Sequence, residues 1–277
     1  MSVAFITRQP AADEVERLRL MLSTFCDGSG GLADGTATLP GWRDYERVMA
    51  ALLNGTAPES KGIFDVIAAS IKQAKTDYGL SIKSKHLSRN TALADLAKNG
   101  RVYMELSNSP AKFFDALGEI GITEADFRSQ KKPEAVGASV IQTVESWHKE
   151  AAELHAEESP GRVVDLARSV YLVFSYHKRA AGLPEYQVHS FDLHFPEKIK
   201  WYYKSGRCLS GEDPKHKGED LFDWYALSGG QLKYYPRASY SRFSSPIFTL
   251  QPPPQMGVAK KAAAYFSREW VAAGGSK

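Results

Sequence analysis

The chain has 277 residues, of which 43% are hydrophobic and 24% charged, with a formal net charge of +3 and two cysteines, Cys26 and Cys208. This composition excludes a disordered chain, a collagen-like repeat and a coiled coil, and two cysteines are too few for a disulfide framework or a cysteine-based zinc site. No apolar run approaches the roughly 18–20 residues that span a bilayer, and residues 1–10 lack the cationic start and apolar stretch of a secretory signal, so an intracellular, cytoplasmic protein without a membrane partner is expected.

From Asp13 to Phe25 the apolar residues Val15, Leu18, Leu20, Met21, Leu22 and Phe25 broadly follow helical spacing, with Asp13, Glu14 and Glu16 in the first turn. The glycines of 26–41 predict a mobile loop. Gly41–Leu53 returns to helix, with Trp42, Tyr45, Val48, Met49 and Leu52 on one side. Ile63–Ala69 and Gly79–Lys85 read as two strands joined by a hairpin, and Val102–Ser107 as a third. Ser109-Pro110 supplies a cap and a first-turn proline, which predicts a helix over Pro110–Ile120. Residues 134–157 are helical in pattern, and Ser169–Tyr176 is a buried strand. Aromatic-rich pieces at 186–195, 200–203, 231–235 and 243–250 follow as strand and loop, and Val258–Ala272 is a C-terminal helix. The economical reading is one α/β domain over 1–277 with a β-rich, aromatic and basic C-terminal half.

Chemistry concentrates around Asp65 and Lys83. Strand alternation puts Ser81, Lys83 and Lys85 on one face and Leu80 and Ile82 on the other, with Asp65 brought beside the first face by the neighbouring strand. A carboxylate able to hold a divalent cation, next to an ammonium able to orient water, suits metal-assisted attack on a phosphate.

This pattern resembles the PD-(D/E)XK nuclease superfamily and, within it, the type II restriction endonucleases. The family's signature is a metal-binding aspartate on one strand, then acid-x-lysine on the next, often preceded by a helical glutamate. The matching positions are Asp65, Ser81-Ile82-Lys83, and Glu46 on the helix 41–53, so the resemblance covers roughly residues 41–107. It implies a restriction-endonuclease-like mixed central sheet flanked by helices, with a catalytic core near 41–120 and DNA-recognition elements mostly near 186–250. It further implies Mg²⁺, double-stranded DNA cut at a specific sequence, a homodimer, and functional pairing with a DNA methyltransferase.

Ser81 departs from the signature, because a hydroxyl coordinates a metal or positions water but brings no charge. Glu46, Glu59 and Glu105 are the candidates to restore it. The expected catalytic set is therefore Asp65, Ser81, Lys83, Glu46 and Glu59, with Asp65, Glu46 and Ser81 as metal ligands.

Basic residues support a polyanionic partner. Lys85, His86 and Arg89 follow the motif, and Asn108 sits at the end of the third strand, before a helix N-terminus that suits phosphate. In the C-terminal half Arg207, Lys215, Lys217, Arg237 and Arg242 are interleaved with tyrosines that could flank nucleotides. Two other readings stay open: a catalytically silent DNA-binding protein, which Ser81 favours, and an unspecific repair nuclease. No phosphate-binding loop or dinucleotide fingerprint occurs, which counts against nucleotide hydrolysis.

Overall fold

The computed structural model describes the chain except residues 1, 29, 35–36, 59–61, 71–74, 88–91, 108, 178–183, 252, 255 and 275–277. The first helix, α1 (Ala12–Ser23), buries Val15, Leu18 and Leu22, and Glu14 accepts from the Ala11 N–H at 2.8 Å to satisfy its open N-terminus. Where a mobile loop was expected over 26–41, the chain makes a 3₁₀ turn and a small hairpin, β1 (Leu32–Asp34) and β2 (Ala37–Leu39). The cause is one side chain: the Thr38 hydroxyl accepts from the Gly28 and Gly30 N–H groups, both at 3.0 Å, and donates to the Phe25 carbonyl at 2.5 Å. Helix α2 (Trp42–Leu53) is capped by Asp44, which accepts from the Gly41 N–H at 2.7 Å, and it ends at Asn54 in the left-handed region.

The order continues with β3 (Val66–Ala69), β4 (Thr76–His86), α3 (Leu93–Asn99), β5 (Met104–Ser107), α4 (Pro110–Glu119), α5 (Glu124–Arg128) and the long α6 (Pro133–Glu158). Then come β6 (Val163–Val164), β7 (Val170–His177), β8 (Glu185–Asp192), β9 (Lys200–Ser205), β10 (Cys208–Glu212), β11 (Asp220–Tyr225), β12 (Gln231–Tyr234), β13 (Phe243–Ser244) and β14 (Phe248–Thr249). The C-terminal helix is broken at Phe266 into α7 (Val258–Tyr265) and α8 (Ser267–Ala272), neither of which buries a residue. Without a core face to hold it straight, the expected single helix does not persist.

Two sheets result. The larger runs β13-β8-β7-β4-β3, with β14 beside β8 and β6 beside β4; it is mixed, because β4 and β7 are parallel while β3–β4 and β7–β8 are antiparallel. The parallel step requires a crossover, and α6 lies within it. The smaller sheet, β5-β12-β11-β10-β9, is antiparallel throughout. The third predicted strand thus belongs to the second sheet, where β5 pairs with β12 rather than with β3 or β4, and the pairing of Glu105 with Lys233 moves Glu105 away from Asp65's strand.

One face of the larger sheet packs Val66, Leu80, Ile82, Leu172 and Phe174 against Tyr45, Val48 and Met49 of α2. The opposite face, with Tyr171, Val173 and Phe191, shares a core with Val136, Val140 and Val144 of α6 and with Leu209, Phe222, Trp224 and Leu232 of the smaller sheet. A Cβ at Gly137 would sit 2.0 Å from the Trp201 ring, and one at Gly79 2.4 Å from the Phe64 ring, so both glycines are set by close approach. No helix among the described residues is long and apolar enough to cross a membrane.

Candidate active site

The β3–β4 register, Val66 opposite Leu80, continues to set Asp65 opposite Ser81, and the Asp65 N–H bonds the Leu80 carbonyl at 2.9 Å. Asp65 therefore stands one residue ahead of β3, still tied to the ladder. Its Oδ2 accepts from the Ile82 N–H at 2.6 Å, which fixes the carboxylate plane and leaves Oδ1 without a hydrogen bond among the described residues. Two positions further along β4, Lys83 projects from the same face.

Both side chains line a cleft of about 610 Å³. Its other walls are Ser107 at the end of β5, Ser109 and Lys112 at the start of α4, and Trp147 and Glu150 of α6. Lys112 Nζ lies 5.3 Å from the Trp147 ring centroid. The cleft thus offers two carboxylates, Asp65 and Glu150, two ammonium groups, Lys83 and Lys112, and the N-terminal end of a ten-residue helix, a setting of mixed charge that can hold a cation beside an anion.

Burial raises the Asp65 carboxyl above the ordinary aspartate value, against the opposing pull of Lys83, the Ile82 N–H and Arg43. Glu46, on α2 and almost fully buried, is raised first by burial and then by the charge of Asp65, although Arg43 bonds it at 3.2 Å and Lys83 also favours its ionised form. The two carboxylates therefore repel each other in a partly dehydrated place. Glu46 itself is not part of the cleft wall; it acts on Asp65 from α2.

Ser81 shares the face of Lys83 but is fully buried, outside the cleft wall, and its Oγ has no hydrogen-bond partner among the described residues. Among the described residues, no three His, Cys, Asp or Glu side chains gather into a cluster able to hold a metal. The donor set still fits a hard divalent cation of the Mg²⁺ kind, which takes one or two carboxylates and completes its shell with waters and phosphate oxygens. Two mutually repelling carboxylates and an orphaned buried hydroxyl are the observations behind that fit.

Sequence reasoning missed His148 of α6, which is buried, bonds the Tyr171 hydroxyl at 2.8 Å, and has its pKa pushed down to about 4 by burial, with the positive charges of His194 and Lys83 adding to the effect. A neutral imidazole thus borders Lys83. The signal was available in the inward spacing Val140, Val144, His148 along α6. Lys112 and Trp147 were likewise passed over.

The remaining expected residues are scattered. Glu59, Arg89 and Asn108 lie outside the described residues. Glu105 faces the second sheet's Lys233. Lys85 lies over the Tyr103 ring at 3.9 Å, and His86 leans on Tyr176 at 5.2 Å. Arg207 is exposed at the β9–β10 turn; Lys215 and Lys217 occupy the β10–β11 turn, Lys215 5.0 Å from the Tyr240 ring. Arg237 is paired with Glu219 at 2.5 Å. Arg242 pairs with Asp192 and donates to the carbonyls of Ile6, Ala167 and Arg168, so its guanidinium is engaged in holding the fold. No family model, curated protein or solved structure matches the chain.

Proposed function

We propose that the protein is a Mg²⁺-dependent endonuclease that hydrolyses phosphodiester bonds of double-stranded DNA at specific sequences, in the manner of type II restriction enzymes. The observation that carries the reading is the sharing of one cleft wall by Asp65, pinned through Ile82, and Lys83. The succession α2, β3, β4, α6 and parallel β7, with Glu46 on α2, Asp65 immediately before β3 and Lys83 on β4, supports a PD-(D/E)XK-like core.

In this reading Asp65 would hold the cation from the cleft wall and Glu46 would add negative charge to it from α2, while Ser81, expected as a third ligand, is sealed behind the cleft and takes no direct part. A cation held there would supply charge neutralisation at the scissile phosphate and at the leaving oxygen. Lys83 donates to the attacking water and orients it in line with the phosphorus. Lys112 and the Ser109 end of α4 receive a neighbouring phosphate. Sequence specificity at a two-fold symmetric site calls for a homodimer, and a cutter of that kind works beside a DNA methyltransferase that protects the host's own sites.

The test is incubation of the purified chain with plasmid DNA and Mg²⁺. Discrete fragments that vanish with Asp65→Ala or Lys83→Ala support the reading, and a smear points to an unspecific nuclease. The second reading, a silent DNA-binding protein, is favoured by the missing acid at Ser81 and predicts retained DNA binding with no cutting.

A further inference from the structure

The smaller sheet turns Leu209, Phe222, Trp224 and Leu232 into the core, and its opposite face is polar. Across that face the register aligns Glu105, Lys233, Asp223, Ser210 and Tyr202 in one row. Asp223 is enclosed: Ser210 donates to it at 2.5 Å, Tyr225 at 3.3 Å and Tyr235 at 3.2 Å, and Lys204 is held by Asp220 at 2.7 Å.

Two other lysines are placed differently. Lys85 Nζ lies 3.9 Å from the Tyr103 ring centroid, while Lys233 Nζ lies 4.3 Å from that of Tyr225 and 5.8 Å from that of Tyr103. Neither forms an ion pair with a carboxylate among the described residues. Aromatic rings hold these ammonium groups in place without neutralising them. The result is an alternating ladder, Lys85, Tyr103, Lys233, Tyr225.

The ladder starts where the cleft ends. Lys85 follows Lys83 by two residues on one face of β4, about 7 Å along an extended strand. On β5, Ser107 lines the cleft; Glu105 lies two residues back along the strand, across a bulge in its pairing with β12, and Tyr103 stands immediately before the strand. Fixed cations alternating with rings are the features that bind a polynucleotide through its phosphates and through base faces, and base faces are available on a single strand and hidden in a duplex.

We propose that the Lys85–Tyr103–Lys233–Tyr225 ladder binds a single DNA strand leaving the cleft, the lysines contacting its phosphates and the tyrosines its bases. The proposal rests on the phosphodiester reading of the cleft and extends it to an unpaired strand on one side of the cut. Glu105, in register with Lys233, repels phosphate from the β5 edge and keeps the backbone on the lysine line.

Fluorescence anisotropy of the full chain with a labelled oligothymidylate of about 20 nucleotides, in EDTA so that nothing is cut, tests the ladder. Lys85→Gln with Lys233→Gln is expected to weaken binding at least about tenfold and to flatten the slope of log K against log salt by about 1.4, two phosphate contacts' worth. Tyr103→Ala is expected to weaken binding about tenfold and Tyr103→Phe to retain it, since the ring is what stacks. Circular dichroism melting identifies any variant that fails to fold; the lysine pair, half-buried side chains whose replacement by glutamine keeps most of the alkyl stem, then decides. Unchanged affinity and slope in the lysine pair overturns the proposal. A chain that binds through the ladder but leaves plasmid intact in Mg²⁺ sinks the nuclease reading alone. A chain that cuts while its ladder variants bind as wild type sinks the ladder alone.

Discussion

The antiparallel pair β3–β4 has an aspartate at each end, and the fold treats the two in opposite ways. Asp77, opposite Ala69, is enclosed, and burial by itself would raise its carboxyl; hydrogen bonds from Arg162 and from His155 at 2.8 Å outweigh burial and hold it below the ordinary aspartate value. Asp65 receives one backbone N–H, and there burial prevails and the carboxyl is raised. A strand aspartate that serves the architecture is supplied with cations by its own chain. One that is left short of them, beside a cleft and a second buried carboxylate, keeps a raised carboxyl, and it is the one to which the proposed reading assigns the cation.

The sharpest way to break this contrast is to neutralise each end. Asp65→Asn and Lys83→Gln are each expected to lower plasmid cleavage about 10³-fold, the scale of charge stabilisation by a metal and its partners, while Asp65→Asn melts no lower than wild type because it removes a desolvated charge. A loss of thermal stability at Asp65 matching that at Asp77 would abolish the distinction. Asp77→Ala leaves Arg162 and His155 facing a vacated acceptor and is expected to cost about 3 kcal/mol in urea denaturation.

A smaller effect concerns the cation. Mg²⁺ at about ten times its dissociation constant stabilises the folded chain by about 1.4 kcal/mol, which raises the melting temperature by about 3–6 °C. EDTA should reverse the rise, and Asp65→Asn should not show it; an equal rise in that variant would place the cation elsewhere.

The smallest effect is on acid stability, and it has opposite signs at the two ends. The lowered Asp77 carboxyl contributes stability that is complete above the unfolded value of 3.8 and is lost as pH falls through its folded value. The raised Asp65 carboxyl holds its proton more tightly when folded, so stability declines as pH rises from 3.8 through its folded value. Urea midpoints across this range should show a shallower acid loss for Asp77→Asn and a removed decline for Asp65→Asn.

Local signals carried much of the architecture. Helices α2, α4 and α6 were legible because their apolar residues recur at helical spacing, and because Ser109-Pro110 marks the start of α4. The Asp65–Lys83 proximity was legible because strand alternation and a short hairpin leave little freedom of placement. Non-local choices were hidden. Nothing in Val102–Ser107 names β12, well over a hundred residues later, as its partner, and β10 and β11 were passed over because Ser210, Gly211 and Asp223 dilute their apolar pattern. The Thr38 hydroxyl that orders 26–41, and the carbonyls that occupy Arg242, are contacts made only after the chain has folded. Cationic residues read as DNA contacts could not be separated in advance from those, such as Arg237 with Glu219, that bind their own chain.

Strand β4 makes seven consecutive parallel pairings with β7, from Leu80 to His86. That run contains both Lys83 and Lys85, so their backbone is held in the sheet by β7 before any ligand arrives. Ordering these two positions would therefore add little entropic penalty on encounter with the proposed nucleic acid, and the slow event would fall to the partner's own bending or strand separation.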